Sequence, residues 1–263
     1  MKYCRFSTPD GPKYGLIESI NGADQITQIA PDGAVPDFNR AQKLNPLPLA
    51  SAHLLAPVQP SKIICVGRNY REHAKEFGNE PPSEPVIFLK PQTSLLGPGE
   101  NIVRPNNLSQ RVDFEGELTV IIGKQCRNLK SRDDVRPYIL GYTCSNDVTA
   151  RDLQRKDGQW TRGKSFDTFC PVGPIVTDEI DPWVGVRVET RVNGDVKQSE
   201  STTAFLFTTD VIIRFIAQVM TLLPGDIILT GTPAGVGSIV AGDTVTVSVE
   251  GIGSLSNPVV DGD

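Results

Sequence analysis

A chain of 263 residues is long enough to bury a full core, and 24 glycines with 21 prolines leave little room for long helices. A formal net charge of −5 argues against nucleic acid as a partner, while a local group of Arg and Lys still allows a small anionic substrate. Five cysteines without a C-x-x-C pair exclude a disulfide framework or zinc knuckle, and two histidines, His53 and His73, exclude a His-rich zinc site. No signal peptide is apparent, and the apolar residues 211–223 are too few to span a bilayer, so a cytoplasmic protein without membrane contact is expected.

Turn signals at Asp10-Gly11-Pro12 and Asn21-Gly22, then Pro46 and Pro48, predict a small β unit over residues 1–55, followed by a main domain over 56–263. A short strand over 62–66 runs into Gly67-Arg68-Asn69-Tyr70, and a polar helix over 71–77 ends at Gly78. Its flanking Pro81-Pro82 suggests a lid. Residues 86–90 make a further strand. Residues 112–122 make the longest, with Val112, Phe114, Leu118, Val120 and Ile122 on one face. A strand over 138–144 passes into a charged helix over 148–156. Asn193-Gly194 joins strands 185–193 and 195–199 as a hairpin. Apolar spacing predicts a helix over 209–223, stopped by Pro224-Gly225, before strands over 227–230 and 244–250. The sum is a strand-rich α+β protein.

The second face of the long strand is acidic: Asp113, Glu115 and Glu117 alternate roughly 7 Å apart. A solvated edge is the plain reading. A fourth carboxylate, Asp147, follows the next strand, where it could serve as a helix N-cap. Carboxylates without His or Cys form an oxygen-only set, which suits Mg²⁺, Mn²⁺ or Ca²⁺ rather than zinc. Asp147, Arg151 and Gln154 share one helical face, so Arg151 could meet a substrate carboxylate or merely pair with Asp147.

Residues 158–165 match the letters of a P-loop, G-x-x-x-x-G-K-S, ending in Gly163-Lys164-Ser165. The mechanics do not fit. A P-loop follows a strand and opens a helix, whereas this segment follows a charged helix and carries Trp160 and Arg162. Nucleotide binding is therefore not expected, and Lys164 stands as a cation for a substrate oxygen.

Six segments together resemble the fumarylacetoacetate hydrolase family and keep its order across residues 61–259. They are Gly67-Arg68-Asn69-Tyr70 with His73 and Glu76; Asp113-Phe114-Glu115-Gly116-Glu117-Leu118; Asn146-Asp147 with Thr149, Arg151, Asp152 and Gln154; Gly163-Lys164-Ser165-Phe166-Asp167; Gly225-Asp226 with Ile228 and Thr230-Gly231-Thr232-Pro233; and Gly251-Ile252-Gly253 with Leu255 and Asn257-Pro258. The resemblance implies a mixed β-sandwich-roll catalytic domain assembled as a homodimer. It also implies Mg²⁺ or Mn²⁺, with Ca²⁺ as a further option, held by Glu115, Glu117 and Asp147. Asp113 has no ligand role in it. His73 and Glu76 correspond to a catalytic dyad, with Lys164 offsetting oxyanion charge, and Arg68, Arg151, Gln154 and Thr232 would contact substrate oxygens.

The implied substrates are small 2-oxo or β-diketo acids that react through an enolate. Acylpyruvate C–C hydrolysis, of the fumarylpyruvate or acetylpyruvate type, comes first, with oxaloacetate decarboxylation beside it. Oxaloacetate keto–enol tautomerisation or a 2-hydroxyhepta-2,4-diene-1,7-dioate-type isomerisation is the alternative, because the N-terminal unit resembles longer relatives. A non-catalytic, cation-stabilised binding protein is the rival from another class.

Overall fold

The computed structural model describes residues 1–76, 78 and 80–262. Apolar alternation becomes a principal sheet of twelve strands. Its path runs through Gln42–Pro48, Ala23–Pro31, Gly11–Ile20, Lys2–Thr8, Cys170–Thr177, Ile139–Asn146, Gly116–Ile122, Ile227–Leu229, Ile63–Gly67 and Val86–Lys90. The N-terminal strands thus continue the sheet of the main region, through the pairs Lys2↔Thr177 and Tyr3↔Val176. Most neighbours are antiparallel, but Ile227–Leu229 pairs parallel with Ile63–Gly67.

A second sheet of five strands contains the hairpin Arg187–Val192 and Asp195–Ser201, with Thr244–Val249 and Gly253–Asp261 beside it. Every second residue of Arg187–Val192 and Thr244–Val249 is buried, as expected for strands with one face on a core. That core joins Leu118, Val120 and Ile122 of the principal sheet to Val188, Val247 and Leu255. Ile121 points the other way, into a separate cluster with Ile63, Cys65 and Ile227.

Three expected elements are corrected. Residues 112–122 are two strands in two sheets, Val112–Phe114 and Gly116–Ile122, interrupted at Glu115. Val112 and Phe114 accordingly pack in a third cluster, apart from Leu118. The charged helix starts later, at Arg151–Asp157, because Thr149–Ala150 first pairs with Val112–Phe114. The apolar helix is Thr209–Val219, with Ile212, Ile213, Ile216 and Ala217 buried; it stops before residue 223 because Leu222 leaves to exchange two backbone hydrogen bonds with Cys126. The polar helix is Arg71–Glu76, and its expected last residue, 77, lies outside the described residues. No helix among the described residues is long and apolar enough to cross a membrane.

Candidate functional site

The break at Glu115 builds the site. Its backbone N–H donates 2.9 Å to the Asn146 side chain, and its carbonyl accepts 2.8 Å from Asp147 N. The chain then resumes pairing with Gly116 opposite Asn146 and Glu117 opposite Ser145. Gly116 is required there, since a Cβ would lie 1.9 Å from Thr190 Oγ1. One strand end and one strand exit therefore deliver Glu115, Glu117 and Asp147 to a single point, where each offers a carboxylate oxygen within 4.8 Å of the others. All three are buried, so the solvated-edge reading of the acidic strand does not hold.

Buried carboxylates need compensation. Lys164 Nζ bridges Glu115 Oε2 at 2.7 Å and Asp147 Oδ2 at 2.6 Å. Lys90 Nζ reaches Asp147 Oδ1 at 2.7 Å. Arg151 pairs with Glu115 through Nη2 and with Asp113 Oδ2 through Nε at 2.9 Å, so the sequence expectation of a surface pair with Asp147 is corrected. The Asp147 carboxylate is taken by Lys90 and Lys164, and Ala150, not Asp147, caps the helix.

Burial pushes the Glu115 carboxyl up, but Lys164 and Arg151 outweigh it and hold it well below the usual range. Lys164 is likewise held protonated, its burial outweighed by Asp147 and Glu115. Glu117 is the exception. Its Oε2 accepts 2.6 Å from Gly231 N, at a backbone φ of +101°, but no ion pair reaches it among the described residues. Burial, and then the charges of Asp147 and Glu115, push its carboxyl well above the usual range.

Within the cluster, Glu115 and Asp147 are answered by Lys90, Arg151 and Lys164, whereas Glu117 takes one backbone N–H. An oxygen-only donor set with one uncompensated carboxylate fits a hard divalent cation.

The ten residues singled out from the sequence all line one cavity of about 710 Å³. The helix Arg71–Glu76 presents His73 to the same cavity, with its Nδ1 3.2 Å from Glu76 Oε2. Glu76 also accepts from Gly235 N at 3.2 Å, which ties the helix to the loop after Thr232. Arg68 has a positive φ of 58° and sits over the Trp160 ring at 5.7 Å. Gln154 Oε1 accepts from Arg151 Nη1 at 2.8 Å. Thr232 Oγ1 donates to the Gly116 carbonyl at 2.9 Å and accepts from Gln198 Nε2, so its hydroxyl is engaged with the protein.

Three residues escaped the sequence reading. Lys90 ends a strand and is almost fully buried against Asp147. Gln198, in the hairpin, accepts from Gly116 N at 3.0 Å and donates to Thr232 and Pro233, tying the strand that follows the break to the Thr232 loop. Arg111 joins the cavity wall through Asp113. Being charged or polar at the end or inside a strand marks none of them by periodicity.

A β-rich fold whose cavity is lined both by a buried carboxylate cluster and by a His–Glu pair has the features of an enzyme site. The family model described as fumarylacetoacetate (FAA) hydrolase C-terminal matches residues 62–260, and the one described as Rv2993c-like, N-terminal, matches residues 1–57. The chain belongs to the fumarylacetoacetate hydrolase family, a family of enzymes. It is 42% identical over 291 aligned residues to the oxaloacetate tautomerase FAHD2A, mitochondrial, of Bos taurus, covering 99% of this chain and 92% of that one. The solved structure of 2-hydroxyhepta-2,4-diene-1,7-dioate isomerase from Mycobacterium marinum is 45% identical, with a TM-score of 0.87 and coverage of 99% and 98%. Fumarylpyruvate hydrolase from Pseudomonas aeruginosa, solved with Mn²⁺ and pyruvate, is 28% identical with a TM-score of 0.72, covering 79% of this chain and 91% of that one.

Proposed function

We propose that this enzyme interconverts the keto and enol forms of a small 2-oxo acid by moving a proton at the carbon beside its 2-oxo group. The observation that carries this reading is the placing of the His73–Glu76 pair and the three-carboxylate cluster in one cavity. The sequence alone put C–C hydrolysis first. Of the relatives that match nearly the whole chain, one is named a tautomerase, one a dioate isomerase and one a fumarylacetoacetate hydrolase, which supports placing proton transfer first with hydrolysis beside it.

A divalent cation held by Glu115, Glu117 and Asp147, Mg²⁺ or Mn²⁺, would supply a Lewis acid for the 2-oxo group. With Nδ1–H donated to Glu76, His73 keeps its lone pair on Nε2 and takes the carbon-bound proton there. Glu76 stabilises the imidazolium that results until His73 gives its proton up to the enolate oxygen, and Gly235 N–H steadies Glu76. Lys164 spends two of its three N–H donors on Glu115 and Asp147, and the third serves the developing oxyanion. Arg151 and Gln154 orient the substrate carboxylate, while Phe88 and Trp160 limit water at the cavity wall. The division at residues 55 and 56 belongs to the same proposal, supported by the two family models, and a homodimer is proposed with it.

Hydrolysis is the second reading, favoured by the same dyad, because His73 Nε2 can equally take a proton from water. Oxaloacetate, acetylpyruvate and fumarylpyruvate, each supplied with Mg²⁺ or Mn²⁺, separate the two. Tautomerisation predicts that enol absorbance relaxes faster than pyruvate appears. Pyruvate release in step with enol loss would replace it by C–C cleavage, and no reaction with any of the three would favour a binding protein.

A further inference from the structure

The outer strand of the second sheet, Asp195–Ser201, buries a single side chain, and that side chain is polar. Gln198 is 1% exposed and stands opposite Thr190 in the hairpin. A primary amide in such a place costs stability unless its donors and acceptor are answered. Here the site answers them. Oε1 accepts from Gly116 N at 3.0 Å, while Nε2 donates to Thr232 Oγ1 at 2.8 Å and to the Pro233 carbonyl at 2.7 Å. Thr232 Oγ1 in turn donates to the Gly116 carbonyl at 2.9 Å, so Gly116, Gln198 and Thr232 close a ring of hydrogen bonds. Exchanging the amide oxygen and nitrogen would set donor against donor at Gly116 and acceptor against acceptor at Pro233, so the ring has one orientation.

The ring gains its meaning from what the Thr232 loop touches. Gly231 N donates to Glu117 Oε2 at 2.6 Å, and four residues on Gly235 N donates to Glu76 Oε1 at 3.2 Å. Residues 231–235 thus run from the carboxylate cluster to the His73–Glu76 pair. The hairpin holds the same loop at a second point. A Cβ on Gly235, whose φ is +100°, would lie 2.1 Å from the Lys197 carbonyl oxygen. Gln198 itself stands outside the cavity lining, whereas Glu76, Glu117 and Thr232 belong to it.

We propose that Gln198 is a positioning residue, which anchors residues 231–235 and so fixes the His73–Glu76 pair relative to the carboxylate cluster. This rests on the reading above, in which the pair and the cluster act on one substrate. A displacement of about 1 Å between such groups costs on the order of 10²-fold in rate, so the anchor acts on turnover without touching substrate.

Gln198→Met and Thr232→Val open the ring from its two sides, and Thr232→Val carries both readouts should Gln198→Met fail to fold. The first readout is hydrogen exchange by mass spectrometry on cation-free protein. Gln198→Met is expected to quicken exchange about tenfold over residues 231–237 and to leave Ile139–Asn146 unchanged. The second is turnover of oxaloacetate in Mg²⁺, followed as enol absorbance. Gln198→Met is expected to lower kcat by about tenfold to 100-fold, and the double variant should lose less than the product of the two single losses, because both open one ring. Asp226→Asn, which weakens the fold elsewhere, should keep kcat within about twofold, so a general loss of stability does not mimic the effect. Unchanged exchange over residues 231–237, losses that multiply in the double variant, or an equal loss in Asp226→Asn overturns the inference. Wild-type protein that leaves oxaloacetate unchanged counts against the keto-acid reading instead, and the exchange rates then decide by themselves whether Gln198 anchors the loop.

Discussion

Two buried carboxylates, Asp226 and Glu117, show how the same chemistry can hold a fold together or leave it wanting a ligand. Asp226 is fully buried and accepts from Ser61 Oγ at 2.6 Å, Lys62 N at 3.1 Å and Leu223 N at 2.7 Å, and also pairs with Lys62 Nζ. Every lone pair is answered, and the contacts tie the end of one linker to the turn before Ile227–Leu229. Glu117 is equally buried but takes one backbone N–H and lies beside two more anions. A fold that leaves a carboxylate so placed stores an electrostatic deficit at one point, and a cation relieves it. Asp226 is architecture, and Glu117 marks the candidate site.

The difference can be broken from either side. Glu117→Gln is expected to lower Mn²⁺ affinity by about 100-fold or more and to abolish turnover. In cation-free buffer the same variant should be no less stable than the wild type, because a neutral amide relieves the repulsion from Asp147 and Glu115. Calorimetric titration and chemical unfolding check the two halves. His73→Gln should cut turnover by about 10²- to 10⁴-fold and leave Mn²⁺ affinity within about twofold, since His73 lies outside the carboxylate cluster. Asp226→Asn should show the reverse pattern, losing about 3 kcal/mol of stability in urea unfolding with little change in Mn²⁺ affinity.

The smallest effect concerns Asp210 in the helix Thr209–Val219. Burial pushes its carboxyl up, but hydrogen bonds from Thr208, Trp183 and Arg214 outweigh this and hold it at about 2. Its folded value lies below the unfolded one, so the stabilisation is present above the unfolded value and is lost as pH falls through about 2. At pH 7, Asp210→Asn should lower stability by about 1–2 kcal/mol, and the gap to wild type should close in acid unfolding curves.

Much of this was legible in the sequence. Alternation found the strands, and Asn193-Gly194 marked the hairpin between Arg187–Val192 and Asp195–Ser201. Five of the six short segments carry the ten chosen residues, and all ten line one cavity. What stayed hidden depends on contacts between distant parts of the chain. Residues 112–122 alternate without a flaw, and the break at Glu115 is made by the Asn146 side chain, 31 residues away. Lys90 meets Asp147 across 57 residues, and nothing local tells a lysine at a strand end to turn inward. The helix after Thr209 ends where Cys126 draws Leu222 into a bridge, which apolar spacing cannot show.

The central claim is that Glu115, Glu117 and Asp147 hold a divalent cation. Crystals grown with Mn²⁺ and measured at its absorption edge test it directly. The account predicts one anomalous peak lying between the three carboxylates, lost in Glu117→Gln crystals grown the same way. A wild-type map with no peak there, while Lys164 still bridges Glu115 and Asp147, would contradict it.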